Sequence, residues 1–234
     1  MASRQEQKEA RRKAREEQEA AERKAEARRK RLQLVLGAVL AVGIVAGVVI
    51  AVLAGGGAGD GGSGPKQASA NTGVNLPKQQ TTDMQAAAKA AGCTVKTEKD
   101  EGRGHADKTF KVADYKTNPP TSGTHYPVAA QDGIYASDNS PALGESTHSL
   151  EHGRIDVQYK PGTSAQMVKQ LESFVGENGG YHMLLFQNTT GMQPAIAATA
   201  WDQSLKCPSP SPKMWDALRT FRDRYLDKGP ESVP

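Results

Sequence analysis

Five histidines carry most of the chemistry that this chain could do. All of them, His105, His125, His148, His152 and His182, fall between residues 105 and 182. Four sit in glycine-rich contexts: Gly102-Arg-Gly-His105, Pro119-Pro-Thr-Ser-Gly-Thr-His125 and His148-Ser-Leu-Glu-His152-Gly153. Neutral imidazole is the commonest protein metal ligand, and loops on a rigid scaffold are where binding residues gather. Three or four converging rings would bind copper or zinc. His105, His125, His148 and His152 are therefore the candidate ligands, and Glu151 and Asp156 are the carboxylates expected to orient a ring nitrogen from behind. Met183 and Met192 could add thioether ligands, which would shift the preference toward copper(I). The alternative is a set of structural histidines, each hydrogen-bonded in its own loop. His182 lies in the apolar run Tyr181 to Gln187 and reads as a core or surface residue.

His148 to His152 also spells H-x-x-E-H, the inverted zinc-protease motif, with Glu151 as the would-be base. That chemistry places both histidines on one helical face, a turn apart, and needs a carboxylate ligand further along the chain. Gly153 and a strand-like alternation follow at once, which argues against a helix there. Ser122 lacks the G-x-S-x-G context of a nucleophile, and no glycine-rich stretch carries the lysine of a phosphate loop. No catalytic residue is assigned.

The elements that must position these side chains occupy only part of the 234 residues. Residues 1 to 31 hold 12 Lys and Arg against 7 Asp and Glu, so a chain with a net charge of +4 carries its whole basic excess there. The rest is close to neutral, and nucleic acid is not an expected partner. The tail is built of strong helix formers with acid-before-base pairs such as Glu9 with Lys13 and Glu26 with Lys30. Leu32 to Ala54 contains no charge, and Gln33 is its only strongly polar residue. As a helix it would be about 34 Å long, enough to cross a bilayer and contact its lipids. Arg28 to Arg31 abut the span, so the N-terminus is expected in the cytoplasm and the remainder outside, in a single-pass arrangement. Residues 55 to 80, rich in Gly, Ser and Ala, read as a flexible linker. The extracytoplasmic domain is expected over 81 to 234.

Within it, Asp83 is placed to cap a short helix that runs to Ala91 and ends at Gly92. Arg154 to Lys160 alternates as a half-buried strand. Thr163 and Gln166 form a capping pattern ahead of a helix to Glu177. Tyr181 to Gln187 and Ala195 to Trp201 read as strands, and Pro212 opens a last helix through Leu226. This order describes a small α+β domain. Residues 94 to 153, by contrast, show turn signals at short intervals and read as a long turn-rich loop region. On the outward side of a membrane the only two cysteines, Cys93 and Cys207, are expected to pair. Closing so long a loop is worth roughly 4 to 5 kcal/mol on the chain-entropy argument.

Several of these motifs occur together in a known order: Tyr115-Lys-Thr-Asn-Pro-Pro-Thr-Ser-Gly-Thr-His125, Gly133-Ile-Tyr135, His148-Ser-Leu-Glu-His-Gly153, Ala198-Thr-Ala-Trp201 and Lys228-Gly-Pro-Glu231. Over roughly residues 90 to 231 the chain resembles the bacterial, mainly actinobacterial, family catalogued as domain of unknown function 3105. The resemblance implies a membrane-anchored protein with its domain outside and a shared site at His105, His125, His148 and His152. It implies no reaction. Three functions remain open: a metal-binding domain, an accessory or scaffold subunit of an envelope or respiratory complex, and a zinc-dependent hydrolase.

Overall fold

A computed structural model describes residues 64–68 and 73–231. The expected tail at 1–31, the span at 32–54 and the start of the linker lie outside the described residues. Among the described residues no helix is long and apolar enough to cross a membrane.

The domain opens with α1, Met84–Ala91, where the Asp83 carboxylate accepts from the Ala86 amide and Gly92 closes the helix in a left-handed conformation. Then follow β1 (Thr94–Thr97), a 3-10 turn (Val112–Asp114), β2 (Gly133–Ile134), α2 (Leu143–Glu151), β3 (Ile155–Tyr159), α3 (Ala165–Gly176), β4 (Met183–Gln187), β5 (Ile196–Ala200), β6 (Gln203–Cys207) and α4 (Met214–Tyr225). The strands form one six-stranded sheet in the order β1-β6-β5-β3-β4-β2. β4 runs parallel to both β3 and β2, and the remaining pairs are antiparallel. The α+β expectation holds for this domain.

Side-chain alternation gives the sheet two unlike faces. Ile155, Val157, Tyr159, Met183, Leu185, Ile196, Ala198 and Leu205 point into an apolar layer with Leu171 and Phe174 of α3 and Trp215, Leu218 and Phe221 of α4. Burial of each large side chain stabilises the fold by about 2 to 3 kcal/mol. The opposite face presents Asp156, Gln158, Thr199 and Ser204, all buried, and α2 packs there against β3 and β5.

β3 was expected to be half-buried, yet all five of its residues are buried because both sides of the sheet are covered. The cap of α3 is Ser164 rather than Thr163, its hydroxyl accepting from the Met167 amide. Tyr181 and His182 precede β4 in a turn, with His182 at φ 50°. The segment from 94 to 153 is less irregular than its turn signals suggest, since it contains β1, β2 and α2. Cys93 and Cys207 form a disulfide that extends the β1–β6 ladder by one pair. Residues ahead of Thr81 also bond to the domain. Lys66 pairs with Ile134 through both backbone groups, the Pro77 carbonyl accepts from Arg219, and the Gln80 and Thr81 amides donate to Asp216.

Candidate metal centre

Two short extended segments and one helix end bring four of the histidines together on the polar side of the sheet. The segments around His105 and His125 run side by side, joined by Gly123 N to Gly102 O, His125 N to Gly104 O and Ala106 N to His125 O, all at 2.8 to 2.9 Å. Tyr115 braces this pair by donating its phenol to the Thr124 carbonyl, and burial pushes that phenol up to about 12. α2 supplies His148 and Glu151, with His152 as its C-cap. A Cβ on Gly144 would collide with Phe110 and Tyr126, so only glycine lets α2 approach the loop that carries His125.

The tautomers are set from behind by backbone carbonyls. His125 Nδ1 donates to Gly123 O at 2.8 Å, and His148 Nδ1 donates to Tyr126 O at 2.7 Å. Each ring, when neutral, therefore turns its Nε2 lone pair inward. His125 Nε2 lies 3.2 Å from His105 Nε2 and 3.0 Å from Glu151 Oε2. Glu151 Oε2 is in turn 3.6 Å from His105 Nε2 and 4.0 Å from His148 Nε2. These four atoms lie within 4.8 Å of one another. Ligands bound tetrahedrally at 2.0 to 2.1 Å are separated by about 3.3 Å, so the spacing suits one transition-metal ion. A lone pair facing a carboxylate repels it unless a cation, proton or metal, sits between them.

Burial is the largest cause holding His148 below the usual imidazole range. The neighbouring His125, His152 and His105 push the same way, against the raising effect of the Tyr126 carbonyl. His152 is also lowered, chiefly by burial, with Glu231 opposing. Both rings are thus biased to the neutral, ligating form.

The expected residues divide. His105, His125 and His148 converge, and Glu151 joins them as a direct ligand candidate instead of a support. His152 belongs to a second set: its Nε2 is 3.0 Å from His148 Nε2 and 3.3 Å from Glu231 Oε2. Glu231 was not singled out as a ligand, and its only sequence signal was the closing Lys228-Gly-Pro-Glu231 motif. Asp156 does not orient a histidine; it accepts from Ser149 on α2 at 3.0 Å. Met183 faces the apolar layer across the sheet, because its strand position pairs with Ile155. Met192 is buried in the β4–β5 connection, its amide bonded to Asn188. His182 is paired with Asp227 at 2.6 Å and stacked on Tyr181, apart from both sets. Trp201 meets the His125 ring edge-on at 6.0 Å, a contact the sequence did not suggest.

The model of a family described as a protein of unknown function, DUF3105, matches residues 105–233. The chain belongs to the DUF3105 family. The DUF3105 match opens at His105 and takes in Glu231, so every candidate ligand of both sets lies inside it. Neither curated proteins nor solved structures gave a match.

Proposed function

We propose that this protein is a membrane-anchored, extracytoplasmic domain that binds one divalent transition-metal ion, zinc or copper(II), through His105, His125, His148 and Glu151. The observation that carries the reading is the convergence of three imidazole nitrogens and one carboxylate oxygen, two of the rings being locked from behind by backbone carbonyls. Such locking fixes the ring nitrogen that faces the metal. Three nitrogens and one oxygen, with no sulfur, favour a divalent ion over copper(I). Anchoring rests on the uncharged run 32–54, and the outward orientation on the basic residues before it together with the disulfide. Partners within an envelope complex would be met through the N-terminal 54 residues.

Metal analysis of the purified full-length protein after equilibration with zinc or copper(II) tests the site. One ion per chain is expected, lost or weakened at least a hundredfold in His125→Ala and Glu151→Gln. Absence of bound metal, or binding indifferent to both changes, overturns the proposal.

One observation favours a second reading. α2 does place His148 and His152 a turn apart, and Glu231 stands where the H-x-x-E-H chemistry needs its later carboxylate. A metal held by His148, His152 and Glu231 would leave Glu151 as general base of a hydrolase. The two readings part on Glu151→Gln: the hydrolase keeps its metal and loses turnover, whereas the binding domain loses metal.

A further inference from the structure

Two sets of ligand atoms meet at a single imidazole. His148 belongs to the inner set with His105, His125 and Glu151, and to an outer set with His152 and Glu231. Its Nδ1–H is committed to the Tyr126 carbonyl, so Nε2 carries its one free lone pair. One lone pair binds one cation, and the two sets cannot both use His148 at once. They also differ in access. The outer carboxylate, Glu231, is 51% exposed and the inner one, Glu151, 4%; His152 is 15% exposed and His125 0%, and the inner set opens to solvent mainly at His105, 42% exposed.

The geometry points to an outer loading position: a divalent transition-metal cation is captured by Glu231 and His152 and passed by His148 to the inner set. This rests on the inner set being the resident site. Charge balance follows the ion, since Glu231 offsets part of its charge outside and Glu151 does so inside. The exchange breaks the bonds to His152 and Glu231 as those to Glu151, His125 and His105 form, with no change of oxidation state. His148 need hardly move. Its anchored ring already holds Nε2 3.0 Å from His152 Nε2 and 4.0 Å from Glu151 Oε2. The tail is held in place for this purpose by Glu231 N donating to the Glu151 carbonyl at 3.0 Å.

The test is rapid mixing of full-length protein with cobalt(II), whose visible absorption reports its ligand set. Wild type is expected to bind one cobalt per chain in two phases, a fast outer one and a slower inner one. Glu231→Gln, at an exposed position that leaves the fold intact, and His152→Ala should lose the fast phase and load about tenfold more slowly. Both should still reach the wild-type final spectrum at one cobalt per chain. His125→Ala should stop at the spectrum of the fast phase. Two cobalt ions per chain, loading unchanged by Glu231→Gln, or a final spectrum altered by His152→Ala overturns the relay. Wild-type cobalt binding in His125→Ala and Glu151→Gln instead overturns the inner site itself, so the two failures are distinguishable.

Discussion

On one face of the sheet Ile155, Val157, Met183 and Ile196 meet Phe174, Trp215 and Phe221; on the other Asp156, Gln158, Thr199 and Ser204 lie beneath α2 and the histidine loops. The same strands serve both. The apolar face is held by burial, which is non-directional and tolerates many residues of similar volume. The polar face is held by directed bonds, among them Ser149 to Asp156, Asn188 to Gln158 and Ser204 to Glu98, and loses specificity when any one partner changes. It even keeps an unpartnered buried hydroxyl on Thr199. Stability is concentrated on one side and chemistry on the other.

The largest effect that could break this division lies on the apolar face. Phe221 is fully buried, and Phe221→Ala should cost about 3 to 5 kcal/mol in urea unfolding. Metal stoichiometry of the molecules that remain folded should not change. A fall in stoichiometry would mean that the two faces are coupled.

Next in size is metal linkage. Zinc at a hundred times its dissociation constant should raise unfolding stability by about 2.7 kcal/mol. A chelator should remove that increment, and His125→Ala should cut it to about 0.4 kcal/mol or less while Phe221→Ala retains it. Equal increments in wild type and His125→Ala would place the metal elsewhere.

A pH-dependent effect follows from Asp156, whose carboxyl is held well above the usual carboxylate range by burial, against a lowering bond from Ser149. The folded state therefore keeps a proton that the unfolded chain gives up above about pH 4. Stability from this group is complete below that pH and is lost as pH rises toward the folded value, at up to about 1.4 kcal/mol per unit. Asp156→Asn should remove that slope, leaving the variant more stable than wild type at pH 7 and equal to it at pH 4. A wild-type advantage at pH 7 would show that Asp156 is ionised and paired.

The same division explains what the sequence made legible. α3 and α4 carry apolar residues at helical spacing, and β3 alternates, so their existence could be read, with ends shifted by one or two residues. α2 could not. Leu143 and Leu150 are its only large apolar residues, and Gly144, Ser146, Thr147 and Ser149 break any 3.6 period. It is helical because Glu145 caps it and its location on a polar face asks for no apolar stripe, while the Ser146 and Thr147 hydroxyls are satisfied by the Leu143 carbonyl. The candidate ligands were legible as residue types in unusual contexts, but the split into two sets was not. That split depends on which backbone carbonyl each Nδ1 meets, and on a tail 79 positions beyond His152 returning to α2.

The smallest predicted effect sharpens the comparison within the polar face itself. Gly229 lies so close to α2 that a Cβ there would overlap the Glu151 carbonyl and the Gly153 amide. Gly229→Ala should therefore lift the tail and cost about 1 kcal/mol, the worth of the bond from Glu231 N to the Glu151 carbonyl. The inner ligands do not depend on that bond, because His125 and His148 are fixed by Gly123 and Tyr126. Equilibrium zinc affinity measured by competition with a chelator should stay within about twofold of wild type. A tenfold or greater loss of affinity would show that Glu231 belongs to the resident site, and that the two sets are one.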